Sequence, residues 1–201
     1  MNKFAIIIFT ICVVACNNTN KMNEKEIELI EIGDETMAFR VLTINNAHDL
    51  AILRTPCTDL NFAADSLLIK KLIARLYATL TMENGVGIAA PQIGISRNLF
   101  LFMRIDKPEH PVEVAINPKI VRKPEETTCF EGDGCLSIPG EKGNTQRYAW
   151  IEVEYQNEHG QVCKARLNGL SRNEDFTGVI FQHEYDHLQG ILYTDRLIVE
   201  E

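Results

Sequence analysis

His183-Glu184-Tyr185-Asp186-His187 follows directly on the apolar run Val179-Ile180-Phe181, near the C-terminal end of the 201-residue chain. In a helix, four residues turn through about 400° and rise about 6 Å, so the two histidines stand on one face, one above the other. Imidazole is a good ligand for first-row metals. Glu184 between the histidines is placed to accept a proton from a water at such a metal. The three side chains therefore predict a hydrolytic metal site. A surface helix with two chance histidines is the weaker alternative, because the adjoining apolar residues would bury this face.

Two histidines do not close a site. Few residues follow His187, too few for the downstream helix from which many zinc proteases draw a distant glutamate. Tyr193 stands where another protease pattern needs a third histidine, although Gly190 fits its glycine position. The third ligand is therefore expected upstream, among the cysteines, His48, His110, His159 and the carboxylates, and spacing does not choose among them. Cys135 sits in Glu131–Gly140, where the glycines predict a tight, close-approach loop. A buried inert thiol and a metal-bound thiolate are equally compatible with that position.

The elements that must position these groups are only partly legible. Leu67, Leu68, Leu72, Ile73, Leu76 and Leu80 predict a helix over 65–82 with these residues facing inward. Strands are predicted at 99–102, 112–116, 120–121, 150–155 and 162–167, with a turn at 157–160. Residues 37–60 read as irregular, with a break at Thr55-Pro56. Residues 84–94 hold too many Gly, Ala and Pro for a helix interior or a regular strand. They lack the Lys-Ser/Thr of a phosphate loop.

At the other end, Lys3 precedes the twelve-residue apolar run Phe4–Ala15, and Cys16 follows Val13-Val14-Ala15. A membrane span needs about 20 residues, so the run predicts a signal peptide over 1–15. The small residue before Cys16 resembles a bacterial lipobox, which implies cleavage before Cys16 and its lipidation. Residues 16–36 are expected to form a polar tether, and 37–201 a single domain. The acidic excess, 28 Asp and Glu to 20 Lys and Arg, and the lack of a basic run exclude a nucleic-acid partner.

Three separated motifs then carry a resemblance. The chain resembles the peptide deformylases in Gly85-Val86-Gly87-Ile88-Ala89-Ala90-Pro91-Gln92, in Gly134-Cys135-Leu136-Ser137 and in Gln182-His183-Glu184-Tyr185-Asp186-His187. Order and spacing match as well, and the likeness runs from about Ile44 to Leu197. It includes Ile116-Asn117-Pro118, Arg147 and Asp195-Arg196-Leu197.

The resemblance implies an α+β fold with antiparallel sheets packed around a C-terminal helix that carries the histidine motif. It implies one divalent metal on Cys135, His183 and His187, usually Fe2+, with Zn2+ or Ni2+ also able to bind. Glu184 would be the acid/base, while Gln92 and the Leu136 N–H would face the developing oxyanion. N-formylmethionyl peptides would be the substrates, hydrolysed to formate and a free amino terminus. Val86, Phe176, Val179 and Ile180 would line the methionine slot, and Gly85, Gly87 and Leu136 would crowd out an acetyl group.

Three departures from the family pattern stand out. Relatives usually carry Glu where this chain has Asp133, one methylene shorter, with Arg147 as its candidate partner. Many relatives continue into a C-terminal helix. The leader would place this copy in the bacterial cell envelope as a membrane-anchored lipoprotein outside the cytosol, where Cys135 must stay reduced among Cys57, Cys129 and Cys163. Asp186 is expected to orient His183. A catalytically silent formyl-peptide binder and an amidase of different substrate range are the alternatives; intact Glu184 argues against the first.

Overall fold

The computed structural model of the protein describes residues 20–199. Four α-helices are described, α1 Glu24–Glu31, α2 Ala47–Leu53, α3 Phe62–Glu83 and α4 Thr177–Leu188. The strands are β1 Gly87–Ala89, β2 Leu99–Met103, β3 Val112–Arg122, β4 Thr128–Cys135, β5 Ile138–Arg147, β6 Trp150–Gln156 and β7 Val162–Asn168. Five of them form an antiparallel sheet in the order β1-β2-β3-β6-β7, and β4 and β5 pair as a separate hairpin.

Strand alternation sorts the core into two layers, because successive side chains of a strand point to opposite faces. Ile88, Leu99, Leu101, Val114 and Ile116 pack with α3, whereas Ala89, Phe100, Phe102 and Ala115 pack with α4. The central strands are thus buried on both faces. On the α4 side, Phe181 meets Phe100 edge-on at 4.9 Å and Phe102 at 5.2 Å between ring centroids. Such edge-to-face contacts add about 0.5–1.5 kcal/mol each to plain burial. They fix how α4 is rotated on the sheet, and His183, two residues on from Phe181, is turned away from the sheet.

Several sequence expectations are corrected here. The stretch 131–140, expected as a loop, belongs to a β-hairpin over 128–147 that turns at Leu136-Ser137; bulges at Phe130/Asp133 and Asp133/Cys135 break its pattern. The pieces at 112–116 and 120–121 are one strand, irregular where Asn117 takes a positive φ of 50°. Within 84–94 lie the short strand β1 and a 3-10 turn, Ala90–Ile93. The region read as irregular holds α2, whose N-cap Asn46 accepts from the His48 and Asp49 N–H groups. Helix α3 starts at Phe62, capped by Asn61, and Leu67 is 80% exposed rather than inward-facing.

The polar tether is corrected as well. Cys16 and the signal lie outside the described residues, but 23–31 fold as a capped helix docked on α3. Ile30 is wholly buried in the core. Arg97 grips Glu26 through Nε–Oε1 at 2.8 Å and Nη2–Oε2 at 2.7 Å, and Arg75 Nη1 donates to the Leu29 and Ile30 carbonyls at 3.0 Å. A helix this short is unstable alone, so these tertiary contacts hold it. Ile30→Ala is expected to lower unfolding stability by about 2–4 kcal/mol in urea titrations; an unchanged midpoint would restore the tether.

Candidate active site

Helix α4 and the β4–β5 hairpin bring the three candidate metal ligands together. Cys135 ends β4, and its Sγ lies 3.2 Å from His187 Nε2. One ligand atom from each of Cys135, His183 and His187 falls within 4.8 Å of the others. Among the described residues these three are the only such group, so His48, His110 and His159 take no part. Gln182 pins the arrangement from behind: its Oε1 accepts from the Tyr148 N–H and its Nε2 donates to the Tyr148 carbonyl, tying α4 to the end of the hairpin.

His183 is oriented by Asp133, not by Asp186. Its Nδ1 lies 3.0 Å from Asp133 Oδ1, which turns Nε2 toward Cys135 and His187. Asp133 Oδ2 accepts from Thr145 Oγ1 at 2.9 Å, Arg147 Nη2 at 2.7 Å and Arg147 Nε at 3.2 Å. Asp186 stands one step further out. It accepts from Arg147 Nη1 at 2.7 Å and from Arg196, so it steadies the arginine that steadies Asp133. Although i and i+3 share a helix face, the Asp186 carboxylate is taken up by the two arginines. Thr145 carried no sequence signal, because it reaches Asp133 only through the hairpin's irregular pairing.

Electrostatics fit a cation at the convergence point. Burial alone would raise the Cys135 thiol, yet His187 and His183 outweigh it and hold it well below its ordinary value. Burial would likewise lower His183, but Asp133 and Cys135 hold its pKa well above the usual range. Asp133 is kept ionised against its own burial by His183 and Arg147. A thiolate backed by a buried carboxylate thus demands positive charge here, and a divalent ion would supply it in place of the proton. The donor set, one thiolate and two imidazoles, suits a first-row metal.

Glu184 is buried beside this centre. Its Oε2 has no hydrogen-bond partner among the described residues, and burial pushes its pKa up to about 7. Gly87 makes room for it, since a Cβ at that position would stand 2.4 Å from Glu184 Oε1 and 2.9 Å from its Cγ. Gly87→Ala is therefore expected to displace Glu184 and reduce turnover at least about tenfold, in line with the sensitivity of catalysis to small misplacements. Steady-state kinetics beside an unchanged metal content would check this.

Gln92, in the 3-10 turn, holds the other side. Its Oε1 accepts from the Ala89 N–H at 2.9 Å, while Nε2 donates to Ser137 Oγ at 3.2 Å and lies 3.5 Å from Cys135 Sγ. The extended 39–44 segment laces both pieces together, with Leu42 N bonded to Gln92 O and Ile44 N to Ser137 O. From the candidate metal ligands a cleft of about 370 Å³ opens outward, lined by Val86, Leu136, Phe176, Val179 and Ile180. Phe130 and Arg172 also line it, and neither was singled out in the sequence.

The profile of the family described as polypeptide deformylase matches residues 39–201. Peptide deformylase 2 of a Nostoc species is 36% identical over 183 residues, covering 88% of this chain and 88% of its own. Among solved structures, peptide deformylase from Thermotoga maritima superposes with a TM-score of 0.68 at 32% identity, over 81% of this chain and 99% of that one. A class I type b peptide deformylase from Acinetobacter baumannii, solved with Met-Ala-Ser bound, gives a TM-score of 0.69 at 29% identity, over 81% and 99%.

Proposed function

The chain belongs to the peptide deformylase family, hydrolases that remove the N-formyl group from formylated peptides, and from that premise we propose how its own residues perform the reaction on N-formylmethionyl peptides. The observation that carries the proposal is the convergence of Cys135, His183 and His187 beside the unpartnered carboxylate of Glu184.

The single divalent metal of the family would sit on Cys135, His183 and His187 and supplies Lewis acidity toward water and the formyl oxygen. Fe2+ is the ion proposed, on the likeness to the family. Glu184 takes a proton from the attacking water and returns it to the departing amine nitrogen. Burial raises this carboxyl from its ordinary value, which suits a group that must give back the proton it takes. Gln92 Nε2 and the Leu136 N–H donate to the oxygen as it gains charge, a contribution of roughly 3 kcal/mol per well-placed donor. Val86, Phe176, Val179 and Ile180 receive the methionine side chain, and Gly85, Gly87 and Leu136 leave space beside the reacting carbon for hydrogen only.

Formate release from formyl-Met-Ala-Ser by protein loaded anaerobically with iron(II), set beside acetyl-Met-Ala-Ser, tests the assignment. Rapid release from the formyl peptide alone is the expected result. Release from neither peptide, with metal bound, would defeat it.

The place of action is part of the same proposal. Cys16 is lipidated after removal of 1–15, and the enzyme works in the cell envelope on exported formyl peptides. Labelled palmitate should enter the protein and fail to enter Cys16→Ser; labelling of that variant would refute the anchor.

A further inference from the structure

Arg172 lies in the connection between β7 and α4 and lines the same cleft as Cys135 and Glu184. Its guanidinium sits 5.1 Å from the Phe130 ring centroid and 5.7 Å from that of Phe176. Nε donates to the Glu131 carbonyl at 3.2 Å, Nη2 to the Gly132 carbonyl, and Nη1 has no partner among the described residues. All of these partners are neutral. The arginine is therefore held in place without having its charge cancelled.

A second cation lines the cleft alongside it. Lys142, on β5, also borders the cleft and passes over Gly134, where a Cβ would stand 3.3 Å from its Cγ. Gly132 stands in the same relation to Arg172, whose Nε is 3.6 Å from the Cβ position. Neither Arg172 nor Lys142 forms an ion pair among the described residues, although Glu83 and Glu141 border the same cleft. Two positive charges without an ion-pair partner among the described residues thus flank the glycine-bearing end of β4 that leads into Cys135, in a protein whose net charge is −8.

We propose that Arg172 and Lys142 read a carboxylate of the substrate beyond the formylated methionine, so that this enzyme prefers peptides carrying negative charge there. This rests on the deformylase assignment above. An unmodified peptide carries only two kinds of anionic group, Asp and Glu side chains and its own C-terminal carboxylate. Both cations line the cleft that contains the apolar slot, so a peptide seated by its methionine has them beside it. The free Nη1 of Arg172 and the ammonium of Lys142 supply charge-assisted hydrogen bonds to such a group, stronger than neutral ones.

The test compares kcat/KM for formyl-Met-Ala-Ser with a free C-terminus, for its C-terminal amide, and for formyl-Met-Asp-Ser amide. One charge-assisted hydrogen bond corresponds to a preference of about tenfold over the uncharged amide, carried by KM. The preference should shrink as salt is raised. Whichever carboxylated peptide shows the preference identifies the carboxylate that is read. In the Arg172→Gln, Lys142→Gln double variant the ratio should fall to near one, and Lys142→Gln alone should lower it in part. Equal rates for all three peptides in the unaltered enzyme, or a ratio unchanged in the double variant, would overturn the proposal alone. Formate from none of them would overturn the deformylase assignment and this proposal with it.

Discussion

Glu184→Gln is expected to lower turnover of a formyl peptide by about 10²–10⁴, the usual effect of removing a positioned acid/base. Metal content and the unfolding midpoint should stay close to those of the unaltered protein. The separation is expected because Glu184 supports nothing else: its Oε2 is buried without a partner among the described residues, and the metal would be held by Cys135, His183 and His187. The amide is nearly the same size, so the contact with Gly87 survives. What the amide lacks is the capacity to take a proton from water and pass it to the amine. Formate release at saturating peptide, with metal measured by mass spectrometry on the same sample, decides the matter. Retained turnover would remove Glu184 from the mechanism, and loss of metal would make it a ligand instead.

Arg147→Met should produce the largest loss of stability, about 3–5 kcal/mol, because it strips the partner from buried carboxylates. Arg147 is 2% exposed and joins Asp133 to Asp186 through three nitrogens. Without it Asp133 keeps only Thr145 and His183, and Asp186 keeps only Arg196. The loss should also reach the metal, since His183 takes its orientation from Asp133; weakening of about 10–100-fold is typical of such supporting contacts. Arg196→Met is the comparison. Its side chain is 43% exposed, so its ion pair should be worth about 0–1 kcal/mol. Urea unfolding and chelator competition would read both effects. Equal, small changes in the two variants would show that the Arg147 network is dispensable.

Some of this protein was determined by the sequence alone. The stacking of His183 over His187 follows from a spacing of four in a helix, a local relation that needs no knowledge of the rest of the chain. The body of α3 and the strands β2, β6 and β7 likewise follow from apolar periodicity, although the first turn of α3 does not. Resemblance in three motifs pointed to Cys135 as the third ligand, a choice that spacing had left open. What brings its sulfur within reach of His187, 52 positions away, is the packing of α4 against the hairpin.

Tertiary structure decided the rest. The carboxylate that orients His183 is Asp133 rather than the nearer Asp186, because the direction in which each side chain leaves its element outweighs closeness in sequence. Leu67 is exposed for a simpler, local reason: on α3 it stands roughly opposite the stripe of Leu72, Leu76 and Leu80. The stretch 23–31 has a polar composition and would be unfolded by itself. It folds because Glu26 finds Arg97, 71 residues away, and Ile30 finds the α3 face. Contacts of that range depend on how layers and hairpin registers meet, which no local pattern encodes.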